Sequence, residues 1–189
     1  MKTRCPWPSD NPLMLEYHDT EWGVPLHDDR KIFEFMVLDA FQAGLSWAIV
    51  LKKREGFRKA FDNFEPEKIA RYTEKKIQKL LLDEAIIRNK LKVNATVTNA
   101  KQFLAVQKEF GTFDKYIWQF TGGKTINNDL KKLSQIQAKS KESDAMSKDL
   151  LQRGFKFVGS TICYAFMQAA GMVNDHWVDC FRYKKLRSL

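Results

Sequence analysis

Apolar residues recur at spacings of three and four along almost the whole chain, and nowhere do they alternate with polar ones strongly enough to mark a strand pair. That periodicity restricts the chain to a mainly α fold. Asp28 and Asp29 can cap a helix through KIFEFMVLDAFQA (31–43), which Gly44 should end, and Ser46 can cap a second through WAIVLKKRE (47–55). Further helices are expected over 66–72, 74–82, 86–110 and 113–120. Ser143 should cap another that runs to Arg153, with Gly154 as its stop. Between these the glycines, polar residues and lysines of TGGKTINNDLKKLSQIQAKSKES (121–143) predict a long loop. With 189 residues, no repeat and no low-complexity segment, residues 1–189 read as a single globular unit.

Two segments depart from plain helix patterning. Asp39 lies among Val37, Leu38, Ala40 and Phe41, where a helix would turn it toward the core and where a carboxylate is costly unless paired. In RGFKFVGSTICYAFMQAAG (153–171) a helix stops at Gly154, a tight apolar link follows, and a new helix opens at Gly159 and Ser160. This predicts a helix-hairpin-helix unit over about 144–171. Its turn leaves the amides of Gly159, Ser160 and Thr161 at a helix N-terminus, where they can hold a phosphate with Lys156 beside them. An ordinary hairpin whose glycine only permits a tight turn is the alternative reading.

Lysine and arginine number 32 against 23 acidic residues, a net charge of +9, which favours a polyanionic partner. The basic residues are spread through 52–59, 88–92 and 131–141 rather than gathered in a tail, as suits a folded nucleic-acid-binding face. A merely solvated basic surface has the same composition. No run approaches the roughly eighteen apolar residues of a membrane span. MKTRCPWPSD lacks the apolar stretch of a secretory signal, so a cytoplasmic protein with no membrane partner is expected.

Cys5, Cys163 and Cys180 cannot make a full disulfide framework. Cys5 and His18 are separated by twelve residues, and His176 and Cys180 lie four apart, on one face of an expected helix. Two cysteines and two histidines form a tetrahedral zinc set with no open position for water, so one structural zinc would tie segments 1–20 and 174–182 together. The spacing is not that of a standard finger. Buried cysteines and a hydrogen-bonded histidine account for the same residues.

Four strings in order, EYHDTEWGVPLHDD (16–29), QAGLSWAIVLKKRE (42–55), DEAIIRNKLK (83–92) and GFKFVGSTICYAFMQAAGMVNDH (154–176), resemble the bacterial 3-methyladenine DNA glycosylase I family of the helix-hairpin-helix superfamily. The resemblance runs from Cys5 to Cys180. It implies a monomeric, monofunctional enzyme that flips N3-methylated adenine out of double-stranded DNA and hydrolyses its N-glycosidic bond, leaving an abasic site. It also implies zinc on Cys5, His18, His176 and Cys180, and a base pocket of Tyr17, Trp22, Trp47 and the acid Asp39. N3-methylation makes adenine cationic, so aromatic faces and a carboxylate select it by charge and edge together.

Bifunctional members of the superfamily carry a lysine in the hairpin where this chain has Thr161, so no strand-cleaving lyase step is expected. Asn174 and Asp175 read as caps of the ligand-bearing helix. Three positions depart from the family pattern: Asp39 replaces a glutamate, Met14 an aromatic and Ala85 a glycine. The first two motivate an alternative, a non-catalytic zinc-clipped module for damaged DNA. An alkylpurine glycosylase of broader range is a second.

Overall fold

The computed structural model describes residues 2–188. Its helices are Pro12–Thr20 (α1), Asp29–Gln42 (α2), Trp47–Ala60 (α3), Pro66–Ile69 (α4), Glu74–Leu82 (α5), Lys90–Phe110 (α6), Phe113–Trp118 (α7), Lys141–Gln152 (α8), Ser160–Ala169 (α9) and Phe181–Arg187 (α10). Every residue from Ile32 to Phe41 is buried, Glu34 and Asp39 included, and this largely apolar segment has become the central helix. α3, α6, α7 and α9 pack around it. Asp28 caps its start by accepting from the Lys31 amide at 2.9 Å. One cluster of buried residues runs from Cys5 to Tyr183, with ring stacks such as Phe103 on Phe113, centroids 3.9 Å apart.

The helical reading holds in outline and shifts at the ends. α6 starts at Lys90 rather than Ile86, because Asn89 accepts from the Lys92 amide and caps it there. α8 starts at Lys141: Ser140 is the cap, and Ser143 closes a reciprocal box onto it instead of capping. α1 and α10, unforeseen in the sequence, are short segments at the two ends of the chain.

The stretch 121–143 is more ordered than a loop. Ile126–Asn127 (β1) pairs in parallel with Val173–Asn174 (β2), and Leu130 bridges Trp177. Strands of two residues cannot display alternation, which is why the sequence hid them. Asn174 and Asp175 are therefore not caps. Asp175 is buried and accepts from the Tyr164 hydroxyl, Gln168 and Asn128, while Asn174 donates to Asn127 and accepts from the His176 amide. His176 and Cys180 do not share a helix face either: they flank a turn closed by the Cys180 amide on the Trp177 carbonyl at 2.8 Å, and α10 begins after Cys180.

The basic segments are only partly surface. Arg54 is buried and donates to Glu34 at 2.6 Å and to both carboxylate oxygens of Glu21 at 2.8 Å, tying α3 to α2 and to the end of α1. Lys92 is buried as well. Gly171 has φ +69°, and a Cβ there would lie 2.3 Å from the Val24 carbonyl carbon, so only glycine lets the exit of α9 pass this close.

Candidate active site and metal-binding cluster

α1, α2 and α3 meet at a pocket of about 210 Å³. Tyr17 enters from α1, Asp39 from α2 and Trp47 from α3, with Trp7 and Trp22 closing one side. Tyr17 and Trp47 have ring centroids 5.3 Å apart, and Trp7 meets Trp22 edge to face at 4.9 Å. All four residues expected from the sequence, Tyr17, Trp22, Trp47 and Asp39, thus line one cavity, as does Met14.

The polar groups of this cavity set it apart. Asp39 is 3% exposed, and its Oδ2 has no hydrogen-bond partner within the protein. The indole N–H groups of Trp7 and Trp47 are likewise buried without partners. An unsatisfied buried group costs about 1–3 kcal/mol, so three gathered on one cavity call for a partner from outside. Burial pushes the Asp39 carboxyl well above the usual carboxylate range. With aromatic faces, two donors and an acid, the cavity suits a flat heteroaromatic cation.

Trp7, Gln42, Ile136 and Gln168 also line the pocket and were not singled out in the sequence. Gln42 opens the QAGLSW string, and that is its only signal. Ile136 belongs to the stretch read as a loop, and Gln168 depends on the angle at which α9 meets α2.

Behind Trp7 and Trp22 lies a second buried polar site. Cys5 Sγ is 3.5 Å from His176 Nδ1, and Cys180 Sγ is 3.5 Å from both His176 Nδ1 and His18 Nε2. The four ligand atoms lie within 4.8 Å of one another and could hold a metal ion. Metal–sulfur and metal–nitrogen lengths of about 2.3 and 2.0 Å at tetrahedral angles require S···N edges of about 3.5 Å, so the donors fit a zinc.

Outer contacts fix both imidazoles. His18 Nδ1 meets the Asp19 carboxylate at 2.8 Å, and the His176 Nε2–H donates to the Trp22 carbonyl at 3.0 Å. Each ring thereby keeps its other nitrogen for the cluster. Hydrogen bonds from Arg4 hold the Asp19 carboxyl down at about 2. The Cys180 thiol is pushed far down, first by the Cys5 thiol and then by the two imidazoles. Trp7 lies against His18 and Trp22 against His176, with centroids 5.4 and 4.6 Å apart.

The turn from Gly154 to Gly159 joins α8 to α9. Lys156, Gly159 and Thr161 are exposed there. Gly159 has an ordinary φ of −62°, and a Cβ built on it meets no atom within 4 Å. Neither conformation nor packing inside the protein requires glycine at that position. The Ser160 hydroxyl is committed to the Asp144 carboxylate and to the Ser143 hydroxyl, and no side chain caps the start of α9.

The family model described as methyladenine glycosylase matches residues 7–183. The DNA-3-methyladenine glycosylase of Haemophilus influenzae is 47% identical over 180 residues, covering 95% of this chain and 97% of that protein. DNA-3-methyladenine glycosylase 1 of Escherichia coli is 46% identical, covering 95% and 96%. A crystal structure of a 3-methyladenine DNA glycosylase I variant in complex with 3-methyladenine matches with a TM-score of 0.93 at 34% identity, over 95% of this chain and 97% of that one.

Proposed function

This chain belongs to the methyladenine glycosylase family, and on that premise we propose that its aromatic pocket takes 3-methyladenine flipped from alkylated double-stranded DNA and that the N-glycosidic bond is hydrolysed there, leaving an abasic site. The carrying observation is the buried, unpartnered Asp39 carboxyl facing aromatic walls.

N3-methylation leaves the base positively charged and already a good leaving group, so recognition and positioning matter more than a strong acid. Tyr17 and Trp47 gain about 1–2 kcal/mol each from cation–π contact when water is excluded, and neutral adenine gains less. Burial holds the Asp39 carboxyl well above the usual carboxylate range in the free pocket, and a cation entering beside it favours the ionised form. The carboxylate then accepts from the exocyclic amine and stabilises the positive charge. Its side chain is one methylene shorter than the glutamate usual in the family, a gap closed by a small shift of the base or by a bridging water. The indole N–H groups of Trp7 and Trp47 remain to donate to ring nitrogens.

The amides of Gly159, Ser160 and Thr161, with Lys156 beside them, grip the DNA backbone as a helix-hairpin-helix. Leu45, 40% exposed between Gly44 and the start of α3, supplies an apolar wedge for the gap left by the base. Thr161 offers no amine for a Schiff base, so the enzyme is monofunctional. Cys5, His18, His176 and Cys180 would hold one zinc, which supplies a crosslink between the chain ends and takes no part in the reaction. The enzyme acts as a monomer in the cytoplasm.

Incubating the protein with methylated DNA and separating the released bases by chromatography tests the reading. Free 3-methyladenine is expected. Tight binding without release would leave a non-catalytic damage-binding module, and release of 7-methylguanine as well would assign a broader range.

A further inference from the structure

Lys92 lies in the basic string RNKLK, yet it is only 7% exposed, and its ammonium faces the interior. It donates to the carbonyls of Phe41 and Ala43, at 2.9 and 2.5 Å. These close the C-terminal end of α2, where the last carbonyls lack helical partners and a cation complements the helix dipole. The next residues are Gly44, Leu45 and Ser46, the turn that leads into Trp47. On its other side the same ammonium stands 5.9 Å from the centre of the Phe157 ring in the α8–α9 turn.

Seven residues along α6, on the same face, Asn99 engages the neighbouring residue of that turn. Its amide donates to the Lys156 carbonyl at 2.9 Å and its oxygen accepts from the Lys156 amide at 2.8 Å. Phe157 follows with φ +55°, a left-handed conformation that costs a non-glycine residue on the order of 1 kcal/mol and persists only where neighbours hold it.

We infer that Lys92 and Asn99 are positioning residues that set the register between the DNA-gripping hairpin and the base-side turn carrying Leu45 and Trp47. One helix face ties both parts. Lys92 stops one residue short of Gly44, and Asn99 holds the turn three residues before Gly159. The duplex spans that same separation when its backbone sits on the hairpin and its flipped base sits in the pocket. Lys92 thus serves DNA without touching it, since its ammonium is spent on protein carbonyls. The inference rests on the glycosylase reading above.

The test compares K92M, N99L and the double variant with the wild type in two measurements on the full chain. Binding of free 3-methyladenine, followed by tryptophan fluorescence, reads the pocket alone; single-turnover base release from methylated duplex reads pocket and hairpin together. Each single variant should bind the free base within about twofold of wild type, while release from duplex falls about tenfold or more, as a sub-ångström misplacement allows. The double variant should lose no more than about the worse single one, because both act through one register. N99D, isosteric and still an acceptor for the Lys156 amide, replaces N99L if the larger change does not fold, and a smaller loss of the same kind is expected. Wild-type release rates in the variants would overturn the inference, as would equal losses in both measurements. A wild-type protein that releases no base would instead overturn the glycosylase reading.

Discussion

The aromatic pocket and the Cys/His cluster share the wall of Trp7 and Trp22, yet their polar groups are disposed in opposite ways. In the cluster each ligand atom faces another, and both imidazoles are held from outside by Asp19 and the Trp22 carbonyl. In the pocket an acid and two indole N–H groups find no partner within the protein. The first arrangement is complete within the chain apart from the ion it could hold, which supports the structural role proposed for it. The second leaves polar groups open to a molecule from outside, which supports the recognition role proposed for it. Burial alone does not distinguish them; the partners do.

The largest effect should come from breaking the cluster. If Cys5, His18, His176 and Cys180 hold the zinc proposed above, C180A should strip it and lower the melting temperature by about 10 °C or more, because binding energy at a structural zinc is folding energy. Elemental analysis and a thermal melt read both, and unchanged melting with no metal in the wild type would reduce the cluster to ordinary burial. A smaller loss is expected from W7F, which keeps the ring over His18 and removes the free N–H. Affinity for 3-methyladenine should fall by about tenfold, the worth of one hydrogen bond in a dry site, with the melt near wild type. Loss of metal in that variant would show that the shared wall does not separate the two functions. The smallest effect belongs to G159V, whose side chain enters open space. Stability should hold while affinity for any duplex falls severalfold regardless of sequence, since phosphate contacts carry no sequence information. A gel-shift series on unrelated duplexes checks it.

The contrast also explains what the sequence made legible. Asp39 stood out because local patterning predicts burial and chemistry forbids it unpaired; a conflict of that kind shows in a single string. The Cys/His pairs were visible as residue types, but their meeting depends on a turn at 176–180 that spacing presented as a helix. β1 and β2 left no trace, since two residues carry no period. Trp7 and Gln168 could not be singled out, because their place on the pocket is set by how the chain ends and α9 pack. Lys92 read as part of a DNA-facing charge run. Only the carbonyls at the end of α2 reveal that it faces inward.

On the function proposed above, Asp39 is kept for the base at a cost to the fold. The unfolded chain releases this proton near pH 4, whereas burial makes the folded protein hold it to higher pH. The folded state therefore binds more protons from about pH 4 upward, and this residue lowers stability as pH rises until the buried carboxyl itself ionises. D39N removes that contribution. Melting wild type and D39N across pH while following single-turnover 3-methyladenine release is the most direct measurement. Release should fall by about a hundredfold, with D39N at least as stable as wild type and its advantage widening above about pH 4. Full release by D39N, or a loss of release matched by a loss of stability, would contradict it.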